Sequence, residues 1–201
     1  TLESHRNRCE VVGENLGTVP EEVDEALPRH RIWGMFLAEF EAVESEEEPQ
    51  PPTLDQVALI GTHDTPTLAG WIAQVDIDER IRVGLLEKPA APAEREARAE
   101  SAEKLATALG QSLEEPEALL SALLEWLGRS PSPLVIPWLE DLWLEAEQVN
   151  LPGTRSSERP NWQRPMARTL DEVMTDPEID ALVRLLHEAR TRAPADTLRS
   201  R

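Results

Sequence analysis

Apolar residues fall into short runs separated by polar and proline-rich stretches, and the runs alternate between strand-like and helix-like spacing. The first run, residues 9–13, reads as a strand and breaks at Glu14-Asn15-Leu16-Gly17. Thr18 then serves as an expected N-cap, with Pro20 in the first turn and Glu21 three positions after the cap, so a helix is predicted to follow. A second strand is predicted over residues 35–40, before an acidic, proline-rich stretch over 44–52 that cannot continue a sheet and reads as a surface loop. The third run, residues 57–62, is nearly all apolar, as a parallel strand buried on both faces requires. It ends at His63-Asp64, where Thr65-Pro66 supplies an N-cap and first-turn proline for another helix.

Two helices are predicted next. Residues 92–109 are rich in Ala, Glu and Arg and stop at Gly110, and residues 116–127 carry Leu119, Leu120, Leu123, Leu124 and Leu127 before Gly128. A fourth strand over 134–139 follows the breaker Ser130-Pro131-Ser132-Pro133, although Pro137 removes one ladder donor from it. The last helix starts at Asp176-Pro177 and sets Ile179, Leu182, Val183, Leu186 and Ala189 on one face, expected to pack against the sheet. Strands alternating with helices predict an α/β fold with parallel pairing. Four open parallel strands leave two edges unpaired, whereas eight close into a barrel without edges. The expected architecture is therefore half of a (β/α)8 barrel with helical insertions, one partial barrel domain over residues 1–201.

Composition narrows the partners. A formal charge of −19 opposes capture of nucleic acid or of an anionic membrane surface, because each phosphate contact needs a local cation. Only Lys88 and Lys104 are lysines, and the partner is expected to be neutral or cationic. The single cysteine, Cys9, allows no internal disulfide, which favours a cytoplasmic setting. Neither a membrane span nor a signal peptide is visible. The chain opens on Thr1 and is expected to be a piece of something longer.

In folds of this kind, polar residues just past the C-terminal ends of strands gather on one rim, where active sites are built. Three strand ends carry such groups: Glu14, the pair His63-Asp64, and the pair Glu140-Asp141. Carboxylates meeting from different strands suit glycoside chemistry, which needs one proton donor and others to stabilise a positively charged, oxocarbenium-like sugar. Taken singly, a glutamate such as Glu14 after a strand is more often a cap or ion-pair partner, Asp64 reads also as a helix starter, and a lone histidine such as His63 is most often a hydrogen-bonded loop residue. His5, Cys9, Glu14, His63 and Asp64 show no metal-ligand spacing, so no metal is expected.

The order of longer motifs is more specific. ESHRNRCEVVGENLGTVP from Glu3, GTHDTPTLAGW from Gly61, and LEDLWLEAEQVNLPGT from Leu139 followed by PNWQRP from Pro160 resemble, in sequence order, segments of the amylomaltases, 4-alpha-glucanotransferases of the α-amylase clan. The resemblance covers nearly the whole chain and implies the C-terminal half of the catalytic barrel, about its strands 5 to 8. It implies Glu14 as the general acid/base, Asp64 as the aspartate that holds sugar hydroxyls and stabilises the transition state, and His63 as a sugar ligand at the cleavage subsite. Asn150, within VNLPGT, is a further candidate sugar contact, and Asn-Leu-Pro-Gly reads equally as a tight turn. Trp126, Trp138 and Trp143 sit in apolar runs and are expected in the core.

The implied reaction is retaining transfer of α-1,4-glucan segments from maltooligosaccharides to glucose or glucan acceptors, without metal or organic cofactor. Two departures from the family pattern stand out. Asn15 follows the glutamate where the family usually has Asp, which keeps hydrogen bonding but removes a charge. The nucleophile segment, resembling G-x-R-x-D-H, is not found in the chain. The chain by itself is therefore expected to be inactive. The competing expectation is a non-catalytic half-barrel that at most binds glucan or pairs with a complementary half.

Overall fold

A computed structural model describes residues 2–44 and 49–192, with the backbone alone for 42–44. A short helix α1 (Leu2–Asn7) precedes the first strand position, followed by α2 (Glu21–Arg29), β1 (Gly34–Leu37), α3 (Ala38–Glu44) and β2 (Gln56–Leu59). Then come α4 (Leu68–Ile72), α5 (Val75–Arg82), α6 (Ala91–Ala108), α7 (Pro116–Arg129), β3 (Val135–Ile136), a 3₁₀ turn at Leu139–Trp143, α8 (Leu170–Thr175) and α9 (Pro177–Arg192). The strands pair in chain order, β1-β2-β3, and every pair is parallel. Such parallel order with helical crossovers is what one side of the expected barrel wall requires.

The expected first strand is reduced to a single parallel bridge, Val12 to Trp33, held by Gly13 N–H to Trp33 O (2.8 Å) and Trp33 N–H to Val11 O (3.1 Å). It still sits beside β1, so the four predicted strand positions occur in the predicted order. The second strand ends earlier than its apolar run. Ala38 begins α3, and Phe40 is a half-exposed helical residue. Of the acidic stretch over 44–52, residues 45–48 lie outside the described residues.

Two helix starts fall two residues late. Thr18 does not cap α2, whose N-cap is Pro20. Thr67, not Thr65, caps α4, accepting from Gly70 N–H (3.1 Å). Thr65 instead closes its own loop, accepting from Thr62 N–H (2.7 Å) and donating to Thr62 O (3.1 Å).

The core lies between the sheet and its helices. Phe36, Ala38, Ala58 and Ile60 meet Leu68 and Trp71 of α4, Ala102 and Leu105 of α6, and Leu120, Leu123, Leu124 and Leu127 of α7. Leu119, Leu120, Leu123, Leu124 and Leu127 are all buried, and each such side chain contributes about 1.5–3 kcal/mol relative to exposure. The apolar face of α9 packs mainly on a helix, with only Ile179 joining the core that the sheet lines, rather than on the sheet as expected. That helix is α7, where Ala189 and Leu186 approach Gly128 so closely that a Cβ there would lie 2.7 Å from the Ala189 methyl. Val183 is left half-exposed, because the sheet face is already covered by α7. Among the described residues no helix is long and apolar enough to cross a membrane.

Candidate active site

Glu14 follows the Val12 bridge and is exposed. Its position is fixed through its neighbour. Asn15 Oδ1 accepts from Met35 N–H (2.8 Å), while Asn15 Nδ2 donates to Asp24 Oδ1 (3.0 Å). One amide thus ties the loop to the start of β1 and to α2, an arrangement that needs both an acceptor and a donor on residue 15.

The His63-Asp64 loop leaves the end of β2. Asp64 N–H donates to Thr62 Oγ1 (3.2 Å), and Thr67 Oγ1 donates to Glu145 O. Gly70 allows this close approach, since a Cβ there would collide with Ala146 O. Asp141 Oδ1 accepts from Leu68 N–H (2.7 Å), so a second loop also holds the start of α4.

A third segment, residues 148–164, arches over this loop and is locked from within. The buried Arg159 guanidinium donates to Val149 O (3.1 Å), to Gln148 O and to Asn161 Oδ1 (2.6 Å), and pairs with Glu79 (2.9 Å). Asn161 in turn accepts from Leu151 N–H (3.1 Å) and donates to Thr154 Oγ1 (2.7 Å). This scaffold delivers two side chains to the His63-Asp64 loop. Asn150 Nδ2 donates to Asp64 Oδ1 (2.5 Å), and the Trp162 ring lies 5.1 Å from that of His63. His63 Nε2 is itself 3.5 Å from Asp64 Oδ2.

Glu14, Met35, Leu59, Gly61, Thr62, His63, Asp64, Ile136, Pro137 and Trp138 line one hollow of about 180 Å³ past the strand ends. Asn150 joins it through Asp64. Trp138 is therefore not a core residue as expected: it faces His63, 6.2 Å between rings, because Pro137 turns the chain out of the sheet after only two strand residues. Trp126 and Trp143 are half-buried against the core, as their apolar runs predict.

The third strand end behaves differently from the other two. Asp141 is fully buried and serves Leu68 N–H rather than the hollow. Behind it lies Glu39, 1% exposed, whose two carboxylate oxygens have no hydrogen-bond partner among the described residues. Burial, then the neighbouring Asp141, holds the Glu39 carboxyl well above the usual carboxylate range, against the pull of Arg98. Burial likewise pushes Asp141 up to about 7, opposed by the Leu68 N–H and assisted by Glu140. Residue order did not reveal Glu39, and the only signal was an acid inside an apolar run. Among the described residues no three His, Cys, Asp or Glu side chains are grouped as metal ligands.

Residues 1–171 match the 4-alpha-glucanotransferase family. The chain is 31% identical over 209 residues to the 4-alpha-glucanotransferase of Mycobacterium tuberculosis and 29% identical over 204 residues to that of Haemophilus influenzae. In both cases the alignment covers 94% of this chain and 29% of the relative, so the chain spans less than a third of the length of these relatives. The amylomaltase of Corynebacterium glutamicum superposes with a TM-score of 0.75 at 25% identity, covering 94% of this chain and 30% of that one. An amylomaltase from Streptococcus agalactiae, solved with acarbose, shares the fold at a TM-score of 0.62 and 20% identity, over 91% of this chain and 32% of that one. These similarities agree with a parallel α/β wall of a barrel enzyme, and the chain belongs to the 4-alpha-glucanotransferase family.

Proposed function

We propose that the chain supplies the acid/base and sugar-holding side of a 4-alpha-glucanotransferase active site, acting on α-1,4-glucans and maltooligosaccharides with glucose or another glucan as acceptor. The observation that carries this reading is the single hollow in which Glu14, His63 and Asp64 meet past the ends of parallel strands.

In the retaining scheme, Glu14 gives its proton to the departing glycosidic oxygen as an aspartate nucleophile bonds the anomeric carbon. The 4-hydroxyl of the acceptor then returns a proton to Glu14 as its oxygen displaces the nucleophile. Asp64, steadied by Asn150, and His63 hold the hydroxyls of the distorted sugar. No segment resembling G-x-R-x-D-H occurs in these 201 residues, so the reading takes the nucleophile from outside them. Protonation and carboxylate attack suffice for acetal exchange, and the scheme has no step for a metal or organic cofactor. The same reading treats residues 1–201 as one partial barrel domain and places it in the cytoplasm, consistent with the lone Cys9 and the charge of −19.

The test joins the chain to an N-terminal portion carrying a G-x-R-x-D-H segment, taken from the Mycobacterium tuberculosis relative, and follows disproportionation of maltotriose by chromatography. Glu14→Gln is expected to lower transfer on the order of 10²-fold or more, as loss of a general acid does. The 201-residue chain alone is expected to form no glucose and no longer oligomers. Products from the chain alone, or near-normal transfer by Glu14→Gln, would overturn the assignment.

A further inference from the structure

The hollow at Glu14 and Asp64, about 180 Å³, is smaller than the roughly 300–1,000 Å³ of pockets that enclose a whole ligand. Gripping an oligosaccharide therefore calls for a surface beyond it. Trp162 provides one. It is 60% exposed, whereas the other five tryptophans are buried or half-buried. Its backbone has φ 61°, the left-handed region that is costly for a bulky side chain. That conformation is sustained by its surroundings: Trp162 N–H donates to Val149 O (3.3 Å), and the preceding Asn161 is clamped by Arg159, Leu151 and Thr154. The chain thus accepts backbone strain and an unburied indole at one place, and that place adjoins the ring of His63.

We propose that Trp162 is an aromatic platform for a second glucosyl unit, next to the one seated between Glu14 and Asp64, so that His63 lies between two subsites. The inference rests on the glucan reading of the hollow. A pyranose ring presents an apolar C–H face and a rim of hydroxyls. The exposed indole suits the face, while His63, Asp64 and Asn150 suit the rim. The ligand is uncharged, in keeping with a net charge of −19 that opposes an anionic one.

The chain itself serves for the test, since binding needs no nucleophile. Maltotetraose is titrated into 15N-labelled chain, reading the six indole N–H signals, with Trp162 identified by its absence in Trp162→Phe. The Trp162 signal is expected to shift on binding. Trp162→Gly removes the platform while φ 61° becomes comfortable, so stability in urea should hold or rise while affinity falls about 10-fold. Trp162→Phe should retain most of the affinity. Unchanged affinity in Trp162→Gly, or an indole that does not respond in a chain that binds, would overturn the platform. If Asp64→Asn abolishes binding in that case, the glucan reading of the hollow survives without it. A chain that binds no maltotetraose overturns both.

Discussion

On the Asp64 side of the rim, three segments interlock: the loop after β2, the residues around Asp141, and the stretch 148–164 built on Arg159. On the Glu14 side, the strand has shrunk to one bridge, and the loop hangs on the two hydrogen bonds of Asn15. The group expected to hold and orient sugar is rigidly mounted. The group expected to transfer a proton is mounted by a single amide between the half-buried Met35 N–H and the exposed Asp24. The geometry of the side proposed to hold sugar is thus secured within these residues, while the placement of Glu14 responds to small changes beside it.

The largest expected effect lies at the buried acids of the rigid side. Because burial raises Asp141 from 3.8 to about 7, its contribution is fully present below the unfolded value and is lost as pH rises through about 7. With roughly 1.36 kcal/mol per pKa unit, the full loss is on the order of 4 kcal/mol. Asp141→Asn keeps an acceptor for Leu68 N–H and does not titrate, so its urea midpoint should gain on that of the unsubstituted chain between about pH 4 and 7, the window set by the two pKa values, and the difference should level off above it. Identical pH profiles for the two would refute the role of the buried carboxyl.

Next comes Arg159→Met. It fills the space but leaves Val149 O, Gln148 O, Asn161 and Glu79 without their donor, at a cost of about 3 kcal/mol. The contact between Asn150 and Asp64 should loosen with it, visible as faster amide exchange over 148–164. Loss confined to stability, with exchange there unchanged, would mean that the segment is not mounted on this arginine.

The smallest effect belongs to the Glu14 side. Asn15→Asp removes the donor to Asp24 and sets two carboxylates against each other, costing about 1 kcal/mol in this exposed setting. Asp24→Asn in the same chain restores a donor and should recover most of that loss. Without recovery, the amide bridge is not what fixes the loop.

How far the sequence reached depended on how local each signal was. Glu14, His63 and Asp64 were legible because a polar residue after a buried run is a chain-local pattern, and the parallel order followed from alternation. The helix caps slipped because Thr65 and Thr67 are both chemically able to cap, and the choice was decided by the distant Glu145 carbonyl. Trp138 was misplaced because an apolar neighbourhood says nothing of the turn that Pro137 imposes. Asp141 looked like a rim residue and is a buried anchor, since its partner Leu68 is 73 positions away. Trp162 lay within a motif, yet its facing His63 is a property of the folded loop alone.

β2 meets β3 only across the whole helical stretch between them: Ser132 Oγ donates to Gln56 O, 76 positions back along the chain. Closing a loop of that size costs on the order of 4 kcal/mol in chain entropy before any ladder hydrogen bond offsets it. Helix α6 relies on bonds within itself and can form on the microsecond scale, whereas such distant parallel pairing is slow. The segment bearing Asn150 and Trp162 follows β3, so it reaches the His63-Asp64 loop only after that search has succeeded. Assembly of the Asp64 side of the rim is thereby a late folding event, and a nascent chain stalled before β3 would display the His63-Asp64 loop without its mount.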